Sequence, residues 1–147
     1  MNAFIKLGVI EPLAQALYQQ GIRFPTVIQQ ASIPAIFKGK DIIGRSETGT
    51  GKTLAYLLPL VQRVDVKKGG TQVLIMTPTR ELAKQIFDVL RPFAILMEAE
   101  VADIIGGRTI ENQIQKLKRE PHIIIGTPGR LLDHIRPVSY THLTLPT

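Results

Sequence analysis

Ser46-Glu47-Thr48-Gly49-Thr50-Gly51-Lys52-Thr53 is the stretch from which the rest of the chain can be read. It follows a short apolar run, Asp41-Ile42-Ile43-Gly44, and precedes an apolar segment from Leu54 to Leu60. Its glycines therefore fall where a strand is expected to turn into a helix. Glycine removes side chains where backbone N–H groups must close around oxygens, and a helix opening at Gly51 points the positive end of its dipole at the same anion. That is the arrangement of a phosphate cradle. Lys52 is placed to reach the β and γ phosphates of a nucleotide, and the Thr53 hydroxyl to ligate Mg²⁺. The general pattern G-x-x-x-x-G-K-[ST] opens on glycine, whereas this loop opens on Ser46, which is small enough to make the turn. Taken alone, a Gly/Thr-rich turn that happens to contain a lysine would read the same way.

The bulk composition sets bounds around this loop. A chain of 147 residues suits one domain with a core that needs no staples. It contains no cysteine, which excludes disulfides and thiolate metal sites and fits a reducing, cytoplasmic setting. His122, His134 and His142 have no metal-ligand spacing. No basic segment leads into an apolar signal region, and no apolar run approaches the ~20 residues of a membrane helix, so no membrane partner is expected. The formal charge of +6, from 18 Lys and Arg against 12 Asp and Glu, favours a polyanionic partner; a solvated basic face would give the same count.

Upstream of the loop the chain reads as helical. Leu13, Ala14, Ala16 and Leu17 recur at helical spacing after Pro12, and Gly21 ends that segment as a C-cap residue. A second helix is expected over 27–37, with Thr26 as N-cap and Pro34 bending or shortening it. Downstream, short apolar runs alternate with longer periodic segments. Helices are expected at 54–64, 80–96, 109–119 and from 129 onward, and strands at 72–77, 101–105 and 122–126. The alternation predicts parallel strands joined by crossover helices, an α/β fold with ligands at the carboxyl ends of its strands.

The segment from Gly21 through Pro25, Thr26 and Gln29, with Phe4 seventeen positions before Gly21, narrows the reading. A glutamine amide carries a donor and an acceptor that can pair with N6 and N7 of adenine, and an aromatic ring can stack on the base. This segment resembles the Q motif of DEAD-box RNA helicases, and 46–53 resembles that family's motif I, in which a small residue opens the loop. The resemblance implies a P-loop NTPase fold of RecA-like type, with ATP and Mg²⁺ as ligands. It implies that Phe4, Thr26 and Gln29 contact the adenine end. It also implies that Ser46, Thr48, Gly49, Thr50, Gly51, Lys52 and Thr53 hold the phosphates, Lys52 and Thr53 being the catalytic pair and Thr53 the metal ligand.

Three further loops lie at predicted strand ends: Thr77-Pro78-Thr79-Arg80-Glu81-Leu82-Ala83, Gly106-Gly107-Arg108-Thr109 and Thr127-Pro128-Gly129-Arg130. Each puts Gly or Thr plus an Arg at a helix N-terminus, a set of phosphate contacts that carries no base information. They resemble motif Ia, the GG motif and motif Ib. By that resemblance Pro78, Thr79, Arg80, Gly106, Gly107, Thr127, Pro128, Gly129 and Arg130 grip an RNA sugar-phosphate backbone. The charge runs Lys67-Lys68 and Lys116 to Arg119 are read as a solvated turn and an exposed helix end.

After Arg136 the composition changes: residues 137–147 contain no Lys, Arg, Asp or Glu, and no helical period continues through them. They read as a non-native or disordered tail on a partial N-terminal helicase domain spanning 1–136. The chain also has no Asp-Glu dipeptide, so the Walker-B acid that would hold Mg²⁺ and orient the attacking water is absent. The resemblance implies a second RecA-like domain that this sequence does not contain. The expectation is an ATP-dependent RNA helicase that remodels RNA duplexes when whole, represented by a fragment with no RNA-stimulated ATPase activity. A noncatalytic RNA-binding module, another P-loop ATPase and an inactive fragment with an unpaired sheet edge are the alternatives.

Overall fold

A capping box dictates where the longest helix ahead of the loop begins. Thr26 Oγ1 accepts from the Gln29 N–H, and Gln29 Oε1 accepts in return from the Thr26 N–H. The computed structural model describes residues 2–49 and 51–135; the predicted tail at 137–147 lies outside them. The chain divides between Arg63 and Val64 into two compact units.

The first unit is helical: α1 (Ala3–Lys6), α2 (Glu11–Gln19), α3 (Val27–Phe37) and α4 (Lys52–Arg63). In α2, Leu13, Ala14 and Leu17 are buried, as their spacing requires, and Gly21 takes φ +84° just past the C-cap, a conformation glycine adopts without strain. Pro34 neither ends nor shortens α3, because helix formation resumes around it: Lys38 N–H still donates to the Pro34 carbonyl. Helices α3 and α4 pack together, and Arg63 Nη1 donates to Ile36 O near the carboxyl end of α3. The Gln62 side chain accepts from Ile10 N–H and donates to Gly8 O, tying the α1–α2 connection to α4.

One sequence expectation fails in this unit. Residues 41–47, which include the apolar run before the loop, form no strand, and Ile43 is 100% exposed. A short apolar run becomes a strand only where a neighbour supplies the ladder, and the described residues form one sheet that does not include it.

The second unit holds that sheet. Its elements are β1 (Val73–Met76), α5 (Arg80–Leu96), β2 (Val101–Ile104), α6 (Ile110–Lys118), β3 (Ile123–Gly126) and α7 (Pro128–Ile135). All pairing is parallel, in the order β1-β3-β2, with Met76, Gly126 and Ile104 in register at the carboxyl end. The connection from β1 to β2 runs one way across the sheet and that from β2 to β3 runs back. Right-handed crossovers therefore place α5 and α6 on opposite faces. On the α6 face, Leu117 and Leu131 close over Ala102, Ile104 and Ile124, with Ile135 packed against them.

Gly126 ends β3 where two neighbours leave no room. A Cβ there would lie 2.7 Å from the Ile104 carbonyl and 2.8 Å from the Leu131 side chain. Backbone in a parallel ladder cannot retreat as a flexible side chain can. Gly126→Ala is expected to destabilise the fold by about 1–3 kcal/mol, read as a lower urea midpoint with unchanged slope.

Candidate functional site

The phosphate-loop residues lie in the first unit. Gly49 and Gly51 take φ +81° and +89°, the left-handed region in which L side chains are strained, and α4 begins at Lys52. Thr50 lies outside the described residues. Lys52 Nζ donates to the Ser46 carbonyl at 2.7 Å, so the ammonium spans the two ends of the loop. An entering phosphate would offer it a charged acceptor in place of a neutral one, and charge-assisted bonds are roughly twice as strong.

The capping box of α3 reaches this loop directly. Gln29 Nε2 donates to the Gly51 carbonyl at 3.1 Å while Gln29 Oε1 holds the Thr26 N–H at 2.9 Å. The amide is buried and serves the loop, with one N–H and one lone pair beyond those two bonds. The structure thus brings Thr26, Gln29 and Gly51 together. A cleft of about 520 Å³, lined by Thr26, Val27, Ile28, Ala31, Arg45 and Ser46, opens beside them, a volume in the range of small-molecule sites.

Phe4 does not join this group as an open ring: it is 0% exposed and closed to any ligand in this arrangement. Phe24, adjacent to Pro25 and 78% exposed, is an aromatic that the sequence reading did not single out. Arg23 lies over the Tyr18 ring, 4.7 Å from its centroid, a cation–π pair within the same segment.

Thr53 occupies the first turn of α4, where its side chain hydrogen-bonds Tyr56. Burial raises the Tyr56 phenol above its ordinary value, and the Thr53 bond partly offsets that. The hydroxyl expected to ligate Mg²⁺ is therefore already oriented, by a partner one helical turn away. Among the described residues no three His, Cys, Asp or Glu side chains cluster to hold a metal. The Thr53 hydroxyl, the expected metal ligand, would fit a Mg²⁺ whose other ligands were phosphate oxygens and water.

The second unit aligns the other three loops. Because Met76, Ile104 and Gly126 share a register, Thr77, Ile105 and Thr127 leave the sheet at one level, and Thr77 N–H and Thr127 N–H continue the ladder to Gly126 O and Ile104 O. Thr79 caps α5 by accepting from Leu82 N–H, and Thr77 Oγ1 donates to the Thr79 carbonyl. Pro78, Thr79 and Arg80 are exposed, as are Pro128 and Gly129. Arg80 Nη1 donates to Gly106 O at 3.4 Å, joining the first loop to the second. Gly107 takes φ +83° with Arg80 Nη1 packed against it. Arg130 Nη1 donates to Arg108 O at 3.0 Å, joining the third loop to the second.

Two parts of this network were not visible in the sequence. Asp103, buried on β2, pairs with Lys116 at 2.9 Å and Arg108 at 3.3 Å. Lys116 is thus half-buried and paired, which corrects its assignment to an exposed helix end. Gln113, on α6, is wholly buried beneath the glycine turn.

A family profile described as DEAD/DEAH box helicase matches residues 26–145. The chain belongs to the DEAD/DEAH box helicase family. It is 43% identical over 135 residues to the DEAD-box ATP-dependent RNA helicase CshA of Geobacillus kaustophilus (strain HTA426), covering 92% of this chain and 29% of that protein. A DEAD box protein from the hyperthermophile Methanococcus jannaschii superposes with a TM-score of 0.88 at 35% identity, covering 97% of this chain and 38% of that one. A hypothetical ATP-dependent RNA helicase from Sulfolobus tokodaii gives 0.75 at 34%, covering 88% and 36%. The chain thus spans about a third of the length of these relatives. The α/β class and the parallel sheet flanked by helices are those of the RecA-like domains of DEAD-box helicases. No helix among the described residues is long and apolar enough to cross a membrane.

Proposed function

We propose that this chain is the ATP- and RNA-backbone-binding segment of a DEAD-box ATP-dependent RNA helicase that works in the cytoplasm. The observation that carries the reading is the closed Thr26–Gln29–Gly51–Lys52–Ser46 set, in which a base-reading amide and a phosphate-reading ammonium are bonded to the same short loop. Gly49, Thr50, Gly51, Lys52 and Thr53 enclose the phosphates, with Ser46 and Thr48 shaping the loop. Gln29 and Thr26 face the adenine end. Exposed Phe24 offers a face for stacking, whereas Phe4 is buried in this arrangement.

Thr53 would hold Mg²⁺, which when bound would supply neutralisation of charge on the phosphates. Lys52 would move its donors from the Ser46 carbonyl to phosphate, and the Thr53 hydroxyl would turn from Tyr56 toward the metal. The loops at Pro78–Arg80, Gly106–Gly107 and Thr127–Gly129 present backbone N–H groups, hydroxyls and the Arg80 guanidinium to RNA phosphates, which makes the contact independent of sequence. Turnover and duplex remodelling need a Walker-B acid and, from a second domain, an arginine finger worth about 10³–10⁵ in rate. This chain alone is therefore expected to bind without hydrolysing.

Titrating a fluorescent ATP analogue into the chain tests the reading. Lys52→Ala is expected to weaken binding about 10- to 100-fold, the worth of a hydrogen bond to a charged group. Equal affinity in the variant, or RNA-stimulated phosphate release by the unaltered chain, would count against it.

A further inference from the structure

We propose that Arg130 and Gln113 are positioning residues that hold the Gly106-Gly107 turn in its RNA-facing shape, and that Arg130 is not itself a phosphate contact. The proposal rests on the RNA-binding reading above and assigns the work within that site.

The Gln113 amide has an unambiguous orientation. Its nitrogen faces a pure acceptor, the Ile105 carbonyl, at 2.6 Å, and its oxygen faces a pure donor, Arg130 Nη1, at 3.3 Å. The same oxygen lies 2.9 Å from His134 Nε2. That nitrogen must then carry the proton, which fixes the tautomer of a buried imidazole. Ile105 immediately precedes the two glycines and Arg108 immediately follows them. Gln113 therefore holds the carbonyl before the turn, Arg130 holds the carbonyl after it at 3.0 Å, and the two side chains are bonded to each other.

The state of the Arg130 guanidinium separates holding from contacting. Its side chain is 16% exposed; Nη1 is shared between Arg108 O and Gln113 Oε1, and Nε lies 3.7 Å from Asp133. A phosphate contact needs donors turned to solvent. Arg108, 47% exposed in its side chain, and the Gly107 backbone meet that need. Loss of Arg130 frees the Arg108 carbonyl and with it the direction of the turn's N–H groups. Loss of Gln113 leaves the buried Ile105 carbonyl and His134 without that partner, and releases Arg130 from its inner side.

The salt dependence of RNA binding distinguishes the two roles. Each phosphate contact to a single strand contributes about 0.7 to the slope of log affinity against log salt, and a positioning residue contributes nothing. The experiment titrates a labelled oligouridine RNA with the 147-residue chain across a salt series. Arg130→Ala and Gln113→Met are each expected to weaken binding about tenfold, one charged hydrogen bond's worth, with the slope unchanged. The double variant should bind no more weakly than the weaker single. Arg108→Ala should lower the slope by about 0.7.

A slope reduced by that amount in Arg130→Ala, or multiplicative losses in the double variant, overturns the proposal while leaving the RNA reading intact. Unchanged affinity in both arginine variants overturns the RNA reading and this proposal with it. Should circular dichroism show Gln113→Met to be unfolded, the Arg130→Ala slope decides alone.

Discussion

Gly51→Ala is expected to leave the chain unable to hold a nucleotide at concentrations where the parent saturates. The glycine takes φ +89°, and an added Cβ would sit 2.4 Å from Gln29 Nε2, 2.9 Å from Thr26 Oγ1 and 3.1 Å from Gln29 Cδ. Left-handed backbone at a residue with a Cβ costs roughly 1–2 kcal/mol before any clash. The clash adds more, because two of the atoms struck belong to a buried amide and the third to the capping hydroxyl, and together they define the start of α3. Relieving it means breaking the Gln29–Gly51 bond, the Thr26 capping box, or the loop's own path, and each is part of the nucleotide site. The expected measurement is a binding isotherm too weak to fit together with a lowered thermal midpoint. An isotherm matching the parent would show that the loop does not need the geometry observed.

Ile124→Ala should produce the largest loss of stability. Ile124 is wholly buried at the middle of β3, the strand flanked on both sides by ladder partners, and packs in one cluster with Ala102, Ile104, Leu117 and Leu131. Neighbouring backbone is fixed by parallel pairing, so the vacated volume cannot collapse. Truncations of this kind cost about 2–5 kcal/mol, set against a total of about 5–15 kcal/mol for a typical domain. Urea unfolding followed by circular dichroism gives the number; a loss under about 1 kcal/mol would mean that this cluster is not the core of the unit.

The helices at 27–37 and 80–96 were legible to the residue, because Thr26 and Thr79 are caps and caps act within one turn. The three strands were legible as apolar runs, although only β3 is buried at every position and β1 leaves Leu74 and Met76 exposed. The run at 41–44 carries the same signal and forms no strand, because pairing depends on a neighbour that a local pattern cannot report. Lys116 misled for a related reason. Its place in a basic cluster suggested solvent, whereas Asp103, thirteen positions earlier on another element, draws it in. Gln113 gave no signal: a polar residue at a helical core position is indistinguishable from a surface one until the carbonyl it must satisfy is located. Phe4 shows the converse, an aromatic whose resemblance-implied place beside adenine says nothing of its complete burial.

The bond from Lys52 to the Ser46 carbonyl bears on how fast and how tightly the loop can take up its ligand. A lysine that must be recruited from solvent loses up to about 2 kcal/mol of rotamer freedom on capture. Here much of that ordering has occurred before any anion arrives, with a backbone oxygen standing where a phosphate oxygen will compete. Uptake then becomes an exchange of one acceptor for a stronger one within an already shaped enclosure. Preorganisation of this kind favours affinity without adding a contact, and it makes the Ser46 carbonyl an internal rival whose strength sets how weak an anion the loop will ignore.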